Sequence, residues 1–413
     1  MGEDLPVERR NEVLQGYNAS LATLFPFIYK LLEEHFNRYK SIPSPEDKKR
    51  SLYLIKAVLS ALEAYISWVP TSYVFDNNFA AVFCALLYEP ELRMVSAECL
   101  LLLSSLSPKK ILPQHKQSLV AVFDCVVTLI ERLPSESSGE EYVFHRLICK
   151  LSSTLGEVHL SVLLENEGKK NEGSSRLLER YLDIQLSLWR HPSILLSSFT
   201  VPFWAKALKT DSLIKSSALI NRYPTLLETV LTRLNKTLII ETQSPIGKAY
   251  VDIDFIDKPD YEDFLSVYIG RIVALARLSV AIQPLVALDF ACSRLGTAIQ
   301  TLKSCITDGV QPQPTSPQLL NFESAVTMFE NALTAVLPPP EAIQGNQQKL
   351  DVASKAAPFA KSALEAVLEI SACNLPVGTA QLNALRGFTP YYKYDQTSLP
   401  VVLQKAFSMW TYE

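Results

Sequence analysis

The side chains best suited to chemistry in this 413-residue sequence are scattered rather than grouped. His145 and Cys149 are the one partial exception, because a helix would place residues four apart on the same face. Imidazole and thiolate are ligands that Zn²⁺ prefers, but a zinc site usually takes four groups, and no further ligand follows at a matching spacing. We therefore expect Cys149 to lie in the core and His145 at its boundary, without a metal ion.

Sequence motifs of nucleotide binding and catalysis are absent, since GxGxxG, GxxxxGK[ST], GxSxG and HExxH do not occur. The seven cysteines form no CxxC pair and lie in apolar runs, where a free thiol behaves as a small buried hydrophobic group. We predict no catalytic residue, no cofactor and no metal site, and thus a protein that is not an enzyme. The free thiols indicate a reducing compartment, nucleus or cytosol.

Two charged groups suit a macromolecular partner better than a small molecule. Asp252, Asp254, Asp257 and Asp260 fall in a long acidic segment, residues 237–263, that we predict to be a loop insertion. We expect this loop to contact a basic partner segment, and the alternative is a mobile, solvated loop.

The second charged group is basic. Lys48, Lys49 and Arg50 stand at the start of a predicted helix. On an inner wall of a helical array they would meet phosphate groups, and the alternative is an ordinary solvated face.

The aromatic residues around His191 have two interpretations, as stacking platforms for bases or as core. Trp189, Phe199, Phe203 and Trp204 lie on either side of this histidine. Aromatic residues at helical spacing more often belong to the core, so we expect these to be buried.

Helical periodicity dominates the elements that must position these residues. Apolar residues recur at steps of three and four, glycine is scarce at 13 residues, and 48% of the chain is hydrophobic. Predicted helices span about 12–40, 45–67, 76–87, 89–105, 115–133, 141–165, 174–190, 192–208, 211–235, 260–281, 283–304, 317–336, 347–372, 374–387 and 398–412. Alternation of period two is confined to Tyr250–Phe255, which we expect to be an extended loop or a short strand.

Short connections between these helices predict that neighbours pack antiparallel. The expected fold is all-α, a solenoid of HEAT-like antiparallel helix pairs of the ARM/HEAT superhelix type. HEAT-like repeats fit better than tetratricopeptide or ankyrin repeats because no sharp repeat of fixed length is visible, and the alternative is a large irregular helical domain. We divide the chain into HEAT-like repeats at 1–236, the acidic insertion at 237–263, and HEAT-like repeats at 264–413 with a Pro/Gln linker near 306–316.

The net charge is −4, which does not indicate a globally basic nucleic-acid binder. No stretch of 18 uncharged apolar residues predicts a membrane span.

Several segments, taken in order, resemble the exportin-5 branch of the karyopherin-β (importin-β-like) nuclear transport receptors. The segments are Ala64–Val69, Leu87–Leu92, Ser96–Leu100, Tyr142–Cys149, His191–Ser193, Asp252–Phe264, Arg271–Arg277 and Leu399–Phe407. The resemblance is to the middle HEAT repeats of that family, and it covers most of the chain.

The resemblance implies a receptor that carries cargo through the nuclear pore together with Ran-GTP, shuttling between nucleus and cytoplasm. The implied cargo is structured RNA, such as precursors of microRNA or tRNA, or protein, and nucleoporins are implied as further partners. Family members are longer, so we expect a fragment whose binding of Ran-GTP needs repeats outside this chain. The alternative is a HEAT-repeat scaffold of a complex that has no role in transport.

Overall fold

A computed structural model describes residues 7–41, 43–67, 69–167, 172–235, 245–337 and 347–410, and these residues form helices, turns and loops without a β-strand. The all-α, HEAT-type fold class is thereby confirmed. The chain divides into two compact units, Met1–Leu188 and Trp189–Glu413. This division lies upstream of the predicted insertion at 237–263.

Eight helices build the described part of the first unit. They are α1 (Val7–Ser41), α2 (Pro45–Ile66), α3 (Thr71–Asp76), α4 (Phe79–Leu86), α5 (Arg93–Ser104), α6 (Lys116–Ile130), α7 (Gly139–Glu167) and α8 (Glu172–Trp189), with 3₁₀ turns at Pro108–Lys110 and Pro113–His115. Proline at the first position of α2 suits a helix start, because the first N–H groups of a helix have no partner within it. The predicted helix 76–87 instead starts at Phe79, since Asn78 is left-handed at φ 59° and separates α3 from α4.

Helices of the first unit pack in two rows. One row passes through α1, α3, α4 and α6, and the other through α2, α5 and α7. Partners across the rows are α1 with α2, α4 with α5, and α6 with α7. Each pair buries its apolar stripes against the next, as in a HEAT array. Phe79, Phe83 and Phe123 are fully buried in this core, and the Phe123 ring meets Tyr181 of α8 edge to face at 5.2 Å.

Helix α7 has the length and apolar composition needed to cross a membrane, which holds for no other helix of the described residues. Of its most apolar window, 61% is buried inside the fold, which is expected of a core helix. The helix departs from helical geometry at His159, where φ is −115° and ψ is 20°.

The second unit begins with short helices and continues with long ones. They are α9 (Ile194–Ser198), α10 (Val201–Ala207), α11 (Asp211–Ile214), α12 (Ser217–Ile220), α13 (Tyr223–Leu234), α14 (Pro245–Asp254), α15 (Lys258–Val280), α16 (Pro284–Thr307), α17 (Pro317–Val336), α18 (Gln347–Leu368), α19 (Leu375–Gly387), α20 (Thr389–Tyr392) and α21 (Leu399–Trp410). Helix α17 packs on α15, α16, α18 and α19 and is the centre of this core. The Pro/Gln linker is non-helical from Asp308 to Ser316, and Asn374 Nδ2 donates to its Pro312 carbonyl at 2.9 Å.

Part of the predicted acidic loop is helical. Residues 245–254 form α14, and α15 begins at Lys258. The prediction of an extended loop or short strand at Tyr250–Phe255 is therefore wrong for residues 250–254, which are helical. The reason is tertiary packing. Tyr250 and Asp254, which a helix places one turn apart on the same face, both contact the segment His191–Ser193. Residues 237–244 of the predicted loop lie outside the described residues.

Candidate partner-binding surfaces

The junction between α14 and α15 holds the four predicted acidic residues. Asp257 is the N-cap of α15, and its carboxylate accepts a hydrogen bond from the Asp260 backbone N–H at 2.9 Å. The Asp260 carboxylate reaches back to the Ile256 N–H at 3.3 Å. These two carboxylates satisfy N–H groups that a helix start leaves unpaired, and their charge is favourable at the positive end of the helix dipole. Both residues are therefore structural as well as exposed.

Asp254 also has a structural partner. Its Oδ2 accepts from Ser193 Oγ at 3.0 Å, while Ser193 caps α9 by accepting from the Leu196 N–H. The ring of His191 lies 5.3 Å from that of Tyr250 and accepts the Ser193 N–H at 3.0 Å. Asp254 thus ties the end of α14 to the His-Pro-Ser segment, and Asp252 remains an exposed carboxylate on the same helix.

Exposed apolar side chains lie among these acidic residues. Ile256 is 95% exposed, and Ile253 and Val267 are more than half exposed. A groove of about 320 Å³ beside them is lined by Ser198, Asp260, Asp263, Phe264, Val267, Tyr268 and Arg271. We call Asp252, Ile253, Ile256, Asp257, Asp260, Asp263 and Val267 the acidic junction surface. Its mixture of carboxylates and apolar groups is complementary to a basic segment with apolar side chains.

The apolar members of this surface were not among the predicted site residues. Ile253 and Ile256 stand in a strongly charged stretch of sequence, and an isoleucine between acidic residues at a helix boundary has no core to enter. That pattern is the signal by which sequence analysis could have found them.

The basic residues Lys48, Lys49 and Arg50 are exposed in the first two turns of α2, in the first unit. Lys48 Nζ lies 4.9 Å from the centroid of the Tyr39 ring, a cation–π contact with α1. Arg50 Nη1 lies 3.7 Å from Asp47 Oδ1, a weak surface ion pair. We call these three residues the α2 basic cluster. Since the cluster and the acidic junction surface lie in different units, each is a separate candidate.

The aromatic residues near His191 are core, with one exception. Trp189, Phe203 and Trp204 are fully buried, and the two tryptophan rings stack at 5.7 Å between centroids. A buried ring cannot receive a base, so these three form no stacking platform. Phe199 is half-buried.

Cys149 lies in the core on α7 as predicted, but His145 on the same helix was predicted at the boundary of the core and is buried as well. Both are buried; burial lowers the pKa of His145 and raises that of the Cys149 thiol, which therefore stays protonated. In the parts of the chain that the structure describes, no group of three or more His, Cys, Asp or Glu side chains could hold a metal ion.

Comparisons with known proteins give the family. The sequence model of the Exportin-5 family matches residues 139–413, and that of an exportin 1-like protein matches residues 2–100. Exportin-5 of Dictyostelium discoideum is 25% identical over 410 residues, covering 96% of this chain and 35% of that protein. Exportin-5 of Homo sapiens is 25% identical over 433 residues, covering 100% of this chain and 35% of that protein.

A shorter match is to exportin-1 of Schizosaccharomyces pombe, which is 32% identical over 90 residues, covering 21% of this chain and 8% of that protein. The chain spans 35% of the length of the exportin-5 relatives. The resemblance seen in the ordered sequence segments is confirmed, because the Exportin-5 match covers most of the chain and the relatives align along nearly all of it. The protein belongs to the exportin-5 family.

Proposed function

We propose that this protein is a karyopherin-β nuclear export receptor of the exportin-5 type, or a part of one, which binds cargo together with Ran-GTP. The observation that carries the proposal is the Exportin-5 family match over residues 139–413. The cargo is structured RNA, such as precursors of microRNA or tRNA, or protein. The receptor contacts nucleoporins during passage through the pore and shuttles between nucleus and cytoplasm. It acts by binding and not by catalysis.

Stacked helix pairs suit such a receptor. Each helix pair contacts mainly its neighbours, so small rotations between pairs add up along the array. Cargo and Ran-GTP that both favour one curvature would bind cooperatively, with a coupling free energy of about 1–3 kcal/mol. Because the relatives are longer than this chain, the complete Ran-GTP site would draw on repeats outside it.

The acidic junction surface is our candidate for a protein partner, either Ran or a basic cargo segment. Ile256 offers an apolar contact that is almost fully exposed, and the exposed carboxylates of Asp252, Asp257, Asp260 and Asp263 flank it in sequence. Basic side chains of the partner would steer the encounter and fix its register. Burial of the isoleucine would supply the apolar contribution.

The test of this surface removes charge without removing the helix cap. The triple variant Asp252→Asn, Asp257→Asn and Asp263→Asn keeps the cap, since asparagine caps helices as well as aspartate does. Binding of Ran loaded with a non-hydrolysable GTP analogue is measured by pull-down and titration, with this chain and with any longer protein that contains it. We expect about fivefold weaker binding, from exposed pairs worth about 0.2–1 kcal/mol each.

The matched control changes charge elsewhere in the second unit. Asp289→Asn with Asp308→Asn, both exposed on or next to α16, should leave the affinity unchanged. Ile256→Ser should weaken binding without altering its salt dependence. Equal affinity of the triple variant and the wild type would reject the acidic junction surface, while Ran binding by the wild type would still support the receptor.

The α2 basic cluster is our candidate for contact with RNA phosphates. Replacing Lys48, Lys49 and Arg50 by glutamine should reduce the salt dependence of binding to a short RNA hairpin. The slope of log K against log salt should fall by up to about 0.9 for each phosphate that the variant no longer neutralises. Fluorescence anisotropy at several salt concentrations measures this slope. The control replaces Lys206, Lys209 and Lys215 by glutamine. These three lysines are exposed, and their replacement removes the same amount of positive charge.

A HEAT-repeat scaffold of a non-transport complex is the alternative function. It shares the helix pairs and the exposed charged surfaces, but it has no need for Ran. If this chain, and any longer protein that contains it, fails to bind Ran loaded with a non-hydrolysable GTP analogue in the presence of RNA hairpin or protein cargo, the scaffold is favoured.

A further inference from the structure

Two thiols from neighbouring helices meet in the first unit. Cys84 lies on α4 and Cys125 on α6, and these helices pack directly on each other. The Cys125 thiol donates to the backbone carbonyl oxygen of Cys84 at 3.7 Å, which places the two cysteines side by side. Both residues are half-buried, whereas Cys99 and Cys149 are buried completely. The pair is therefore close enough to react and accessible enough to meet a small solute.

The surroundings make the two thiols unequal. The neighbouring Cys84 thiol lowers the pKa of Cys125 by stabilising its thiolate, against the opposing effects of burial and of Asp124, and the Tyr88 hydroxyl acts in the same direction. The same interaction with Cys125, followed by burial, raises the pKa of Cys84. Burial likewise raises the pKa of Tyr88, so its hydroxyl stays a donor. Cys125 is the thiol that ionises first.

Nearby charges leave the sulfur approachable. Arg132 lies over the Tyr88 ring, with its guanidinium carbon 5.6 Å from the centroid. The carboxylate of Asp124, next to Cys125 in sequence, is held at 2.9 Å by Arg180 Nη1 of α8, which offsets its charge. A thiolate with an adjacent second thiol and partial exposure is the arrangement found in reversible thiol oxidation.

We propose that Cys84 and Cys125 form a peroxide-sensitive dithiol that closes to a disulfide between α4 and α6. The Cys125 thiolate attacks one oxygen of hydrogen peroxide, the O–O bond breaks, and the departing hydroxide takes a proton to become water. The Cys84 thiol then attacks the sulfur of the resulting Cys125 sulfenic acid. The S–O bond breaks, the S–S bond forms, and a second water leaves with the thiol proton. The two thiols lose two electrons, and the peroxide is reduced to two waters.

The second step is favoured by the first. Cys84 is a poor nucleophile while the neighbouring Cys125 thiolate raises its pKa, and this effect ends when Cys125 becomes a neutral sulfenic acid. The disulfide would join residues 41 apart in sequence, on helices of successive pairs. It would restrict rotation between those pairs in the first unit. This inference stands independently of the proposed export function.

Peptide mapping tests the proposal on the complete chain. The protein is treated with hydrogen peroxide, its remaining thiols are blocked with N-ethylmaleimide, and a non-reducing digest is analysed by mass spectrometry. We expect a Cys84–Cys125 linked peptide that dithiothreitol abolishes. Cys84→Ser should abolish the link and leave Cys125 as a sulfenic acid that dimedone traps. Cys125→Ser should leave Cys84 unmodified.

Alkylation rates give a second measurement that needs no oxidant. At neutral pH, iodoacetamide should modify Cys125 at least about tenfold faster than Cys84, and Tyr88→Phe should slow Cys125 by removing a hydroxyl that lowers the pKa of Cys125. Cys373, which is exposed, is the internal control. Oxidation of Cys373 without any Cys84–Cys125 link, or equal alkylation rates of Cys84 and Cys125, would overturn the proposal.

Discussion

His159 shows how much a single buried side chain can contribute to pH dependence. It is fully buried where α7 departs from helical geometry, and burial lowers its pKa from 6.5 to about 4. The folded protein therefore holds the ring neutral over a range in which the unfolded chain would protonate it. In that range the unfolded state binds more protons, so the free energy of unfolding increases with pH.

We predict that His159 stabilises the fold fully above pH 6.5 and that this stabilisation is lost as the pH falls from 6.5 towards 4. Between pH 7.5 and 5 the loss is about 2 kcal/mol, from 1.36 kcal/mol per pH unit. Urea unfolding of wild type and His159→Leu at both values measures it. The variant should lose less stability on acidification, retaining the part due to His145, whose pKa burial also lowers. His35→Leu is the control, and an unchanged pH dependence in His159→Leu would contradict the prediction.

The roles of the four predicted acidic residues were only partly predictable from the sequence. The sequence identified Asp252, Asp254, Asp257 and Asp260 as exposed negative charge, but three of them also have hydrogen-bond partners within the fold. The capping role of Asp257 was predictable, because an aspartate followed by Pro259 and Asp260 is a helix-start pattern. The contact of Asp254 with Ser193 was not, because it joins residues 61 apart.

Helix boundaries were predictable where proline or serine marks them. Helices α2 and α17 begin at the predicted Pro45 and Pro317. The predicted helix 211–235 is instead three helices, since Ser216 accepts from the Leu219 N–H and caps a new start, and α13 begins again at Tyr223. The predicted helix 192–208 is two, with Pro202 in the first turn of α10. Apolar periodicity continues through such breaks. It therefore predicts which face of a helix is buried better than it predicts the residues at which the helix begins and ends.

Arg180 joins two helices of the first unit, α8 and α6. Its guanidinium donates to both carboxylate oxygens of Glu131, at 2.9 and 2.7 Å, to Asp124 at 2.9 Å and to Thr128 Oγ1 at 3.0 Å. Only a planar, forked guanidinium can make these four hydrogen bonds together. A lysine in its place would keep the positive charge but could not make the same set of hydrogen bonds. The Arg180 side chain is about one-third exposed, so screening by solvent lowers the free energy that these ion pairs contribute to folding.

We predict that Arg180→Lys lowers the free energy of unfolding by about 1 kcal/mol. Thermal denaturation measures the loss, and a double-mutant cycle with Glu131→Gln isolates the pair. Arg176→Lys, exposed on the same helix, should change nothing. Equal stability of Arg180→Lys and wild type would mean that the contacts contribute no net free energy.

The repeat length of the first unit is visible in the contacts and not in the sequence. Four contacts between successive helix pairs join residues 39 to 41 apart: Thr71 with Lys110, Asp76 with His115, Leu59 with Cys99, and Cys84 with Cys125. Longer side chains reach further, and the ion pairs Lys40–Glu89, Lys116–Glu165 and Glu131–Arg180 each span 49 residues. The residue types differ from pair to pair, so no sequence repeat appears although the HEAT-like spacing is regular.

A stacked array of this kind predicts that damage to one helix pair stays local, because each pair contacts mainly its neighbours. Gln381 of α19 is buried and donates to the Val367 and Ile370 carbonyls, at 2.8 and 3.0 Å, at the end of α18. Gln381→Leu removes both hydrogen bonds, each worth about 1 kcal/mol, and should cost about 2 kcal/mol. The Ile370 N–H and Lys405 Nζ still donate to the Val367 and Ile370 carbonyls, respectively. Hydrogen-exchange mass spectrometry should show about thirtyfold faster exchange in α18 and α19, with α2 and α5 of the first unit unchanged. Gln404→Leu, exposed on α21, is the control. Equally faster exchange in both units would show one cooperative structure and contradict the local response.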